Sequence, residues 1–267
     1  MIKDLPIEQY PENIIRLLLS SETEDFIHEE LEEADLNKIR IIEYSDKEYP
    51  LYIKHLDSMP PVLYLQGNLP FNPNSAAIVG SRKATHYGLK IALLLAQKLT
   101  RLGVVVISGL AFGIDTQAHK TCLDAEGITY AVLGCGIDVE YPIQNKVLRE
   151  RILKKGLVIS EFPLKTPPIK YNFPVRNRII SALSKYVIVV EAGEKSGALI
   201  TADYALDQGK EVIAIPGNID QPMSYGTNQL IKSGAVLLDS IDSLDSIFPN
   251  TSLMFEYSRN IAYQEKQ

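Results

Sequence analysis

The chain has 267 residues, 46% of them hydrophobic and 22% charged, the balance of a globular protein with one large domain and a small appendage. No apolar run approaches the roughly 20 residues that span a bilayer, and Met1-Ile2-Lys3-Asp4 opens into acidic sequence without a signal-peptide core, so a cytoplasmic location with no membrane partner is expected. The formal charge of −6 taken alone disfavours a polyanionic partner, because phosphate neutralisation supplies most of the affinity in such complexes.

The distribution of that charge points the other way. Residues 1–60 hold 6 Lys/Arg against 15 Asp/Glu, which leaves 21 against 18 for the remainder. In chain order, residues 1–40 read as a small acidic helical region with helices over 12–20 and 22–33, their carboxylates facing solvent. Residues 41–74, interrupted by Tyr49-Pro50, Met59-Pro60-Pro61 and Leu69-Pro70, read as an extended connector with one short strand at 62–65. From residue 75 to 248, β-branched runs at 76–80, 104–109, 129–134, 157–162, 186–192, 211–216 and 235–238 alternate with helical stretches. The clearest helix is 86–102, where Leu89, Leu93, Ala96 and Leu99 recur at three- and four-residue steps before Gly103. This alternation predicts an α/β fold, an extended Rossmann-like, doubly wound, mostly parallel sheet. Residues 249–267 read as a polar tail. Cys122 and Cys135 have neither zinc-ribbon nor Cys-x-x-Cys spacing and are expected to be buried small hydrophobes, so no metal or other cofactor is expected.

Doubly wound sheets bind ligands beyond the carboxyl ends of their strands, which directs attention to the loops there. After the first parallel strand come Gly80, Ser81 and Arg82, then a helix start. Glycine admits a phosphate to the backbone, the helix N-terminus offers free N–H groups, and Arg82 adds a bidentate fork; a plain turn with a surface Arg stays open as the alternative. The next strand ends at Ser108 and Gly109, which would line the cleft, and Asp115 is expected to cap the following helix rather than act as a base. His119 has no partner at metal spacing and is expected to pack or hydrogen bond.

Between Phe162 and Val190 there is no Asp or Glu, while Lys165, Lys170, Arg176, Arg178 and Lys185 fall there, interleaved with Tyr171 and Phe173. Cations that track phosphates beside rings that stack bases point to single-stranded nucleic acid, with a solvated cationic face over a core of aromatics as the alternative. Ser196, Gly197 and Thr201 open another helix and form a third candidate phosphate contact, or a simple cap. Neither a nucleophile elbow nor a Walker loop is present, so no catalytic residue is expected and the protein is read as a non-enzyme.

In order, Val79-Gly80-Ser81-Arg82, Ser108-Gly109-Leu110-Ala111-Phe112-Gly113-Ile114-Asp115, Tyr141-Pro142, Ser160-Glu161-Phe162, Phe173-Pro174-Val175-Arg176-Asn177-Arg178-Ile179-Ile180, Glu191-Ala192, Ser196-Gly197-Ala198-Leu199-Ile200-Thr201, Ile215-Pro216-Gly217 and Gly226-Thr227-Asn228 closely resemble the DNA-processing protein A (DprA/Smf) family. The resemblance runs from about Tyr49 to Phe248. It implies a Rossmann-like domain that binds and protects single-stranded DNA, dimerises with a second copy, and helps load the RecA recombinase during natural transformation. It also implies a phosphate-gripping Arg at Arg82 beside Gly80 and Ser81, a pocket lysine at Lys170 and a base-contacting ring at Phe173. Arg176, Asn177 and Arg178 fall on an Arg-Asn-Arg signature in which a basic group can instead brace the pocket through salt bridges. The winged-helix domain of many relatives is not expected here. Two rival functions use the same architecture: a LOG-type nucleotide phosphoribohydrolase, whose Pro-Gly-Gly-x-Gly-Thr-x-x-Glu loop is not matched at residues 192–201, and a sensor of nucleotide messengers.

Overall fold

A computed structural model describes residues 21–67 and 69–249; the helix expected over 12–20 and nearly all of the expected C-terminal tail lie outside the described residues. The acidic segment forms α1 (Ser21–Leu36), followed by β1 (Arg40–Glu43), the one-turn α2 (Leu51–Lys54) and β2 (Val62–Gln66). Residues 41–74 therefore carry more structure than the expected connector with one strand. The strands β1 and β2 pair antiparallel, Ile41 opposite Tyr64, and β2 pairs antiparallel with β6, Leu65 opposite Ile159.

The doubly wound part runs β3 (Ser75–Val79), α3 (His86–Arg101), β4 (Val105–Ser108), α4 (Ile114–Asp124), β5 (Thr129–Val132), α5 (Lys146–Lys155) and β6 (Leu157–Ser160). It continues through α6 (Asn172–Ala182), β7 (Tyr186–Val189), α7 (Gly197–Asp207), β8 (Glu211–Ala214), α8 (Tyr225–Lys232), β9 (Val236–Leu237) and α9 (Leu244–Ile247). The nine-stranded sheet has the order β1-β2-β6-β5-β4-β3-β7-β8-β9, and pairs from β6 to β9 are parallel.

Strand pleating divides each apolar run between two cores. Ala76 and Ile78 of β3, Val106 of β4 and Ile188 of β7 pack with α3 and α4. Ala77, Val79, Ile107 and Val189 face the other way, against Ile179, Ile180 and Ala182 of α6 and Ala198 and Ala202 of α7. Burial on both faces explains why these strands read as continuous apolar runs. The inward stripe of α3 is Gly88, Ala92, Leu95, Ala96 and Leu99; Leu89 and Leu93 are only half-buried. Gly88 makes room for the Glu191 side chain, since a Cβ there would stand 2.2 Å from Glu191 Oε2.

The order of winding reverses at β3. Its neighbours are β4, reached by α3 on one face, and β7, which leads into α7 on the opposite face. The loops leaving β3 and β7 therefore diverge and open a crevice at their carboxyl ends.

Candidate nucleic-acid interface

That crevice is a groove of about 830 Å³. One wall is Gly80, Ser81, Arg82 and Lys83 from the β3–α3 loop; the other carries Lys170 and Phe173, with Ser196, Gly197 and Thr201 along the floor and rim. The Arg82 guanidinium lies 5.1 Å from the centre of the Phe173 ring, within cation–π range. Tyr141 meets the same ring at 5.5 Å, tilted by 39°. A small cleft lined by Phe112, Gly134, Cys135 and Tyr141 continues from the groove beside Phe173 and Arg82. Gly134 lets the ring seat there, for a Cβ at that position would stand 2.8 Å from Phe173 Cδ1. The loop before α6 is also held from outside. The Leu164 N–H donates to Glu30 of α1 at 2.7 Å, and the Lys165 N–H donates to both Asp138 oxygens at 2.9 and 3.0 Å.

Several residues expected to touch a ligand have internal roles instead. Ser108 is fully buried and its hydroxyl donates to the Ile78 carbonyl at 2.6 Å, so it does not line the cleft. Arg176, only 3% exposed, donates to the carbonyls of Gly109 (3.0 Å) and Val132 and to Asn177 Oδ1 (3.1 Å). Burial draws its pKa down to about 10, against the pull of nearby Asp115. Its side chain lines both the groove and the small cleft beside it, with Nε and Nη1 committed to these internal acceptors, so it sets a largely buried positive charge into the groove wall. Gly109 does line the small cleft, packed against that guanidinium with no space for a Cβ, which would stand 2.5 Å from Nη2.

Arg178 forms a bidentate pair with Glu161, Nη1 to Oε1 at 2.7 Å and Nη2 to Oε2 at 2.5 Å, and its Nε donates to Ser58. The two side chains are 7% and 11% exposed. It braces β6, α6 and the 41–74 segment together and is not a groove cation. Asn177 lines the groove but donates from Nδ2 to the Gly197 carbonyl at 3.2 Å. Ser81 is nearly buried, its hydroxyl accepting the Lys83 N–H and turned toward Met223 Sδ. Ser196 caps α7 by accepting from the Ala198 N–H, and Thr201 is 1% exposed. Gly197 is exposed at the groove.

The start of α3 is occupied from within. Glu191, 3% exposed, accepts the Thr85 N–H at 2.9 Å and the Thr85 hydroxyl at 2.5 Å. A carboxylate already sits where the helix dipole favours an anion, which leaves the Gly80–Lys83 turn and Arg82 as the groups of this loop that face the groove. In the sequence Glu191 stands out only as part of a motif. The signal that could have found its role is a carboxylate directly after a buried strand and close to a glycine.

The acid-free stretch does not form one ribbon. Lys165 pairs with Glu33 of α1, Lys185 lies over the Tyr186 ring near the amino end of β7, Arg178 is held by Glu161, and Arg176 is set almost fully buried into the groove wall. Only Lys170 of the five reaches the groove as an exposed cation; Lys83 and Lys195 join Arg82 there instead. Those two were legible as charges beside glycine turns, but not as neighbours of each other.

Asp115 is buried and holds the loop above it, its Oδ2 accepting the N–H groups of Gly109 (3.1 Å) and Ala111 (3.4 Å). Leu110 between them takes a positive φ of 56°, and its carbonyl accepts from Asn145 at 2.9 Å. His119 is buried. The Thr129 hydroxyl is committed to the Val106 carbonyl, so His119 Nδ1 is the donor to Thr129 Oγ1 at 2.7 Å, and burial pushes the imidazole pKa down to about 3. Cys122 and Cys135 are buried free thiols, which burial pushes up to about 11. No helix among the described residues is long and apolar enough to cross a membrane.

The family model described as DNA recombination-mediator protein A matches residues 40–248. Among curated proteins, the chain is 39% identical over 229 residues to DNA processing protein DprA of Bacillus subtilis, covering 85% of this chain and 74% of that protein. It is 41% identical over 219 residues to Protein Smf of Synechocystis, covering 80% of this chain and 55% of the relative. The matches thus span from about half to three quarters of the relatives' lengths. Among solved structures, DNA processing protein A of Streptococcus pneumoniae superposes with a TM-score of 0.73 at 39% identity, covering 80% of this chain and 77% of that one. The Helicobacter pylori protein, whose structure concerns its single-stranded DNA binding mode, gives 0.70 at 31% identity, covering 79% and 95%. With the sheet order, the groove at its switch point and a match over most of the sequence, the chain belongs to the DNA recombination-mediator protein A family.

Proposed function

We propose that the groove holds a segment of single-stranded DNA without catalysing any covalent change, and that the protein, as a cytoplasmic homodimer, protects the strand and passes it to the RecA recombinase in natural transformation. The observation that carries this reading is the convergence of Arg82, Lys170 and Phe173 on one groove. Phosphates lie along Arg82, Lys83 and Lys170, and a base stacks at the aromatic cluster of Phe173 and Tyr141. The family's description as a recombination mediator supports the hand-over to a recombinase.

The test is fluorescence anisotropy with labelled oligo-dT, a matched duplex and a mononucleotide competitor across several salt concentrations. Arg82→Ala and Lys170→Ala each weaken oligo-dT binding and lower the salt slope by about 0.7, the single-strand value per phosphate contact. Phe173→Ala weakens binding by roughly 5- to 150-fold, the equivalent of about 1–3 kcal/mol for one stacked base, with the slope nearly unchanged. Unaltered affinity in all three variants, or equal loss on duplex and single strand for Phe173→Ala, overturns the reading; release of free base from a nucleoside monophosphate marks an enzyme instead. For the hand-over, accelerated RecA filament growth on oligo-dT coated with single-strand-binding protein is expected, and no acceleration removes that part.

A further inference from the structure

At the amino ends of β7 and β8, opposite the groove, lies a second depression of about 360 Å³ lined by Tyr52, Ser184, Lys185, Tyr186, Lys210 and Glu211 among others. Lys210 Nζ sits 4.3 Å above the Tyr52 ring and Lys185 Nζ 5.3 Å from that of Tyr186. Neither ammonium has a carboxylate within ion-pair distance among the described residues. In this they resemble most lysines among the described residues, and differ from Lys98, Lys146, Lys155 and Lys165, which are salt-bridged; what sets this pair apart is that both line one depression and each lies over a ring. Lys210 is half-buried besides, and burial alone draws its pKa down. Holding an ammonium partly out of water with only a ring face beneath it is costly unless an anion completes its shell. The Ser184 hydroxyl is spent on the Ile180 carbonyl, and Glu211 is the single carboxylate among the lining residues, so two cations outweigh one anion there.

We propose that this depression is a second contact site for the phosphate backbone of single-stranded DNA, reached by the same strand that occupies the main groove. Lys185 and Lys210 contact phosphates, and Tyr52 and Tyr186 keep the two ammonium groups raised toward them. The inference rests on the reading of the groove given above. The two sites are separated by the length of β7 and the turn after it, roughly 20 Å at strand rise. A strand of four nucleotides fills the groove alone, whereas one of thirty reaches around the α6–α7 face to both.

The experiment compares dT4 and dT30 on the wild type and on Lys185→Gln/Lys210→Gln, with a Lys185→Arg/Lys210→Arg control and thermal melts of each. The Gln pair is expected to leave dT4 affinity within twofold, weaken dT30 about fivefold or more in low salt, and lower its salt slope by about 1.4 for two lost single-strand contacts; the Arg pair retains dT30 binding. An unchanged dT30 affinity and slope overturns the second site, and so does an equal loss on both lengths, which assigns the lysines to the fold or the main groove. Arg82→Ala run alongside keeps the two readings apart, because failure to weaken dT4 there counts against the groove and not against the second site.

Discussion

Removing Arg178 tests whether the Arg-Asn-Arg segment builds the groove or contacts its ligand. In Arg178→Met the Glu161 carboxylate, 11% exposed, loses both guanidinium donors, and Ser58 loses its Nε–H partner. Breaking one side of a buried pair costs about 3–5 kcal/mol, mostly from the stranded charge. For a domain of this size each kcal/mol moves the melting temperature by about 2–4 °C, so a drop of roughly 6–20 °C is expected. Arg178→Met/Glu161→Leu leaves no stranded charge and should recover most of that loss, since apolar replacement of a whole buried pair is often neutral or stabilising. Urea unfolding followed by circular dichroism supplies the cycle, and oligo-dT titration of the folded double variant supplies the functional arm, where affinity within about twofold of wild type is expected. A single-variant cost below about 1 kcal/mol would refute the energetic argument. A well-folded double variant that no longer binds oligo-dT would return Arg178 to the ligand.

Three further outcomes follow from the geometry. Gly134→Ala sets a Cβ against Phe173 and should cut oligo-dT affinity while leaving its salt slope intact, measured by anisotropy; full affinity would detach the ring's seat from binding. His119 is held near 3 in the fold against an ordinary 6.5. Below pH 6.5 the unfolded chain therefore takes up a proton that the fold refuses, and the stability present above that pH falls by on the order of 1 kcal/mol per pH unit down toward 3. His119→Gln should flatten that part of the pH–stability curve in urea titrations, and an identical slope would contradict the burial argument. Glu191→Gln removes the negative charge at the start of α3 and should cost about 1–2 kcal/mol in chemical unfolding; no measurable change would mean the capping contacts are marginal.

The sheet was legible because burial on both faces leaves a strong trace: Ile78, Val106, Ile107 and Val189 announce β-branched strands wherever a turn glycine follows. The edge strand β1 was not, since Arg40-Ile41-Ile42-Glu43 is short, charged at both ends and paired with β2 alone. Arg82, Lys170 and Phe173 could be found because a glycine turn and a ring flanked by cations are local patterns. What Arg176 and Arg178 do could not be found in that way. Whether an arginine faces solvent or a buried partner depends on what lies across the fold, here Gly109 and Val132 for one and Glu161 and Ser58 for the other. Composition likewise showed an acid-free stretch but not that α1 returns Glu33 to Lys165.

The distribution of anion-binding groups bears on what kind of phosphate this fold prefers. A mononucleotide site on a doubly wound sheet relies on one tight turn whose helix N-terminus concentrates several N–H groups on a single phosphate. Here Glu191 fills that position at α3 and Ser196 takes a donor at the start of α7. The groove keeps exposed cations at Arg82, Lys83, Lys170 and Lys195, spread along a long cleft. Each is a modest, screened interaction by itself. Their sum grows with the number of phosphates presented on one chain, because only the first contact bears the cost of losing free translation and later ones act at high effective concentration. A polymer therefore gains from this arrangement and a single nucleotide does not, which is the selectivity that the proposed strand-holding function requires amid a pool of free nucleotides.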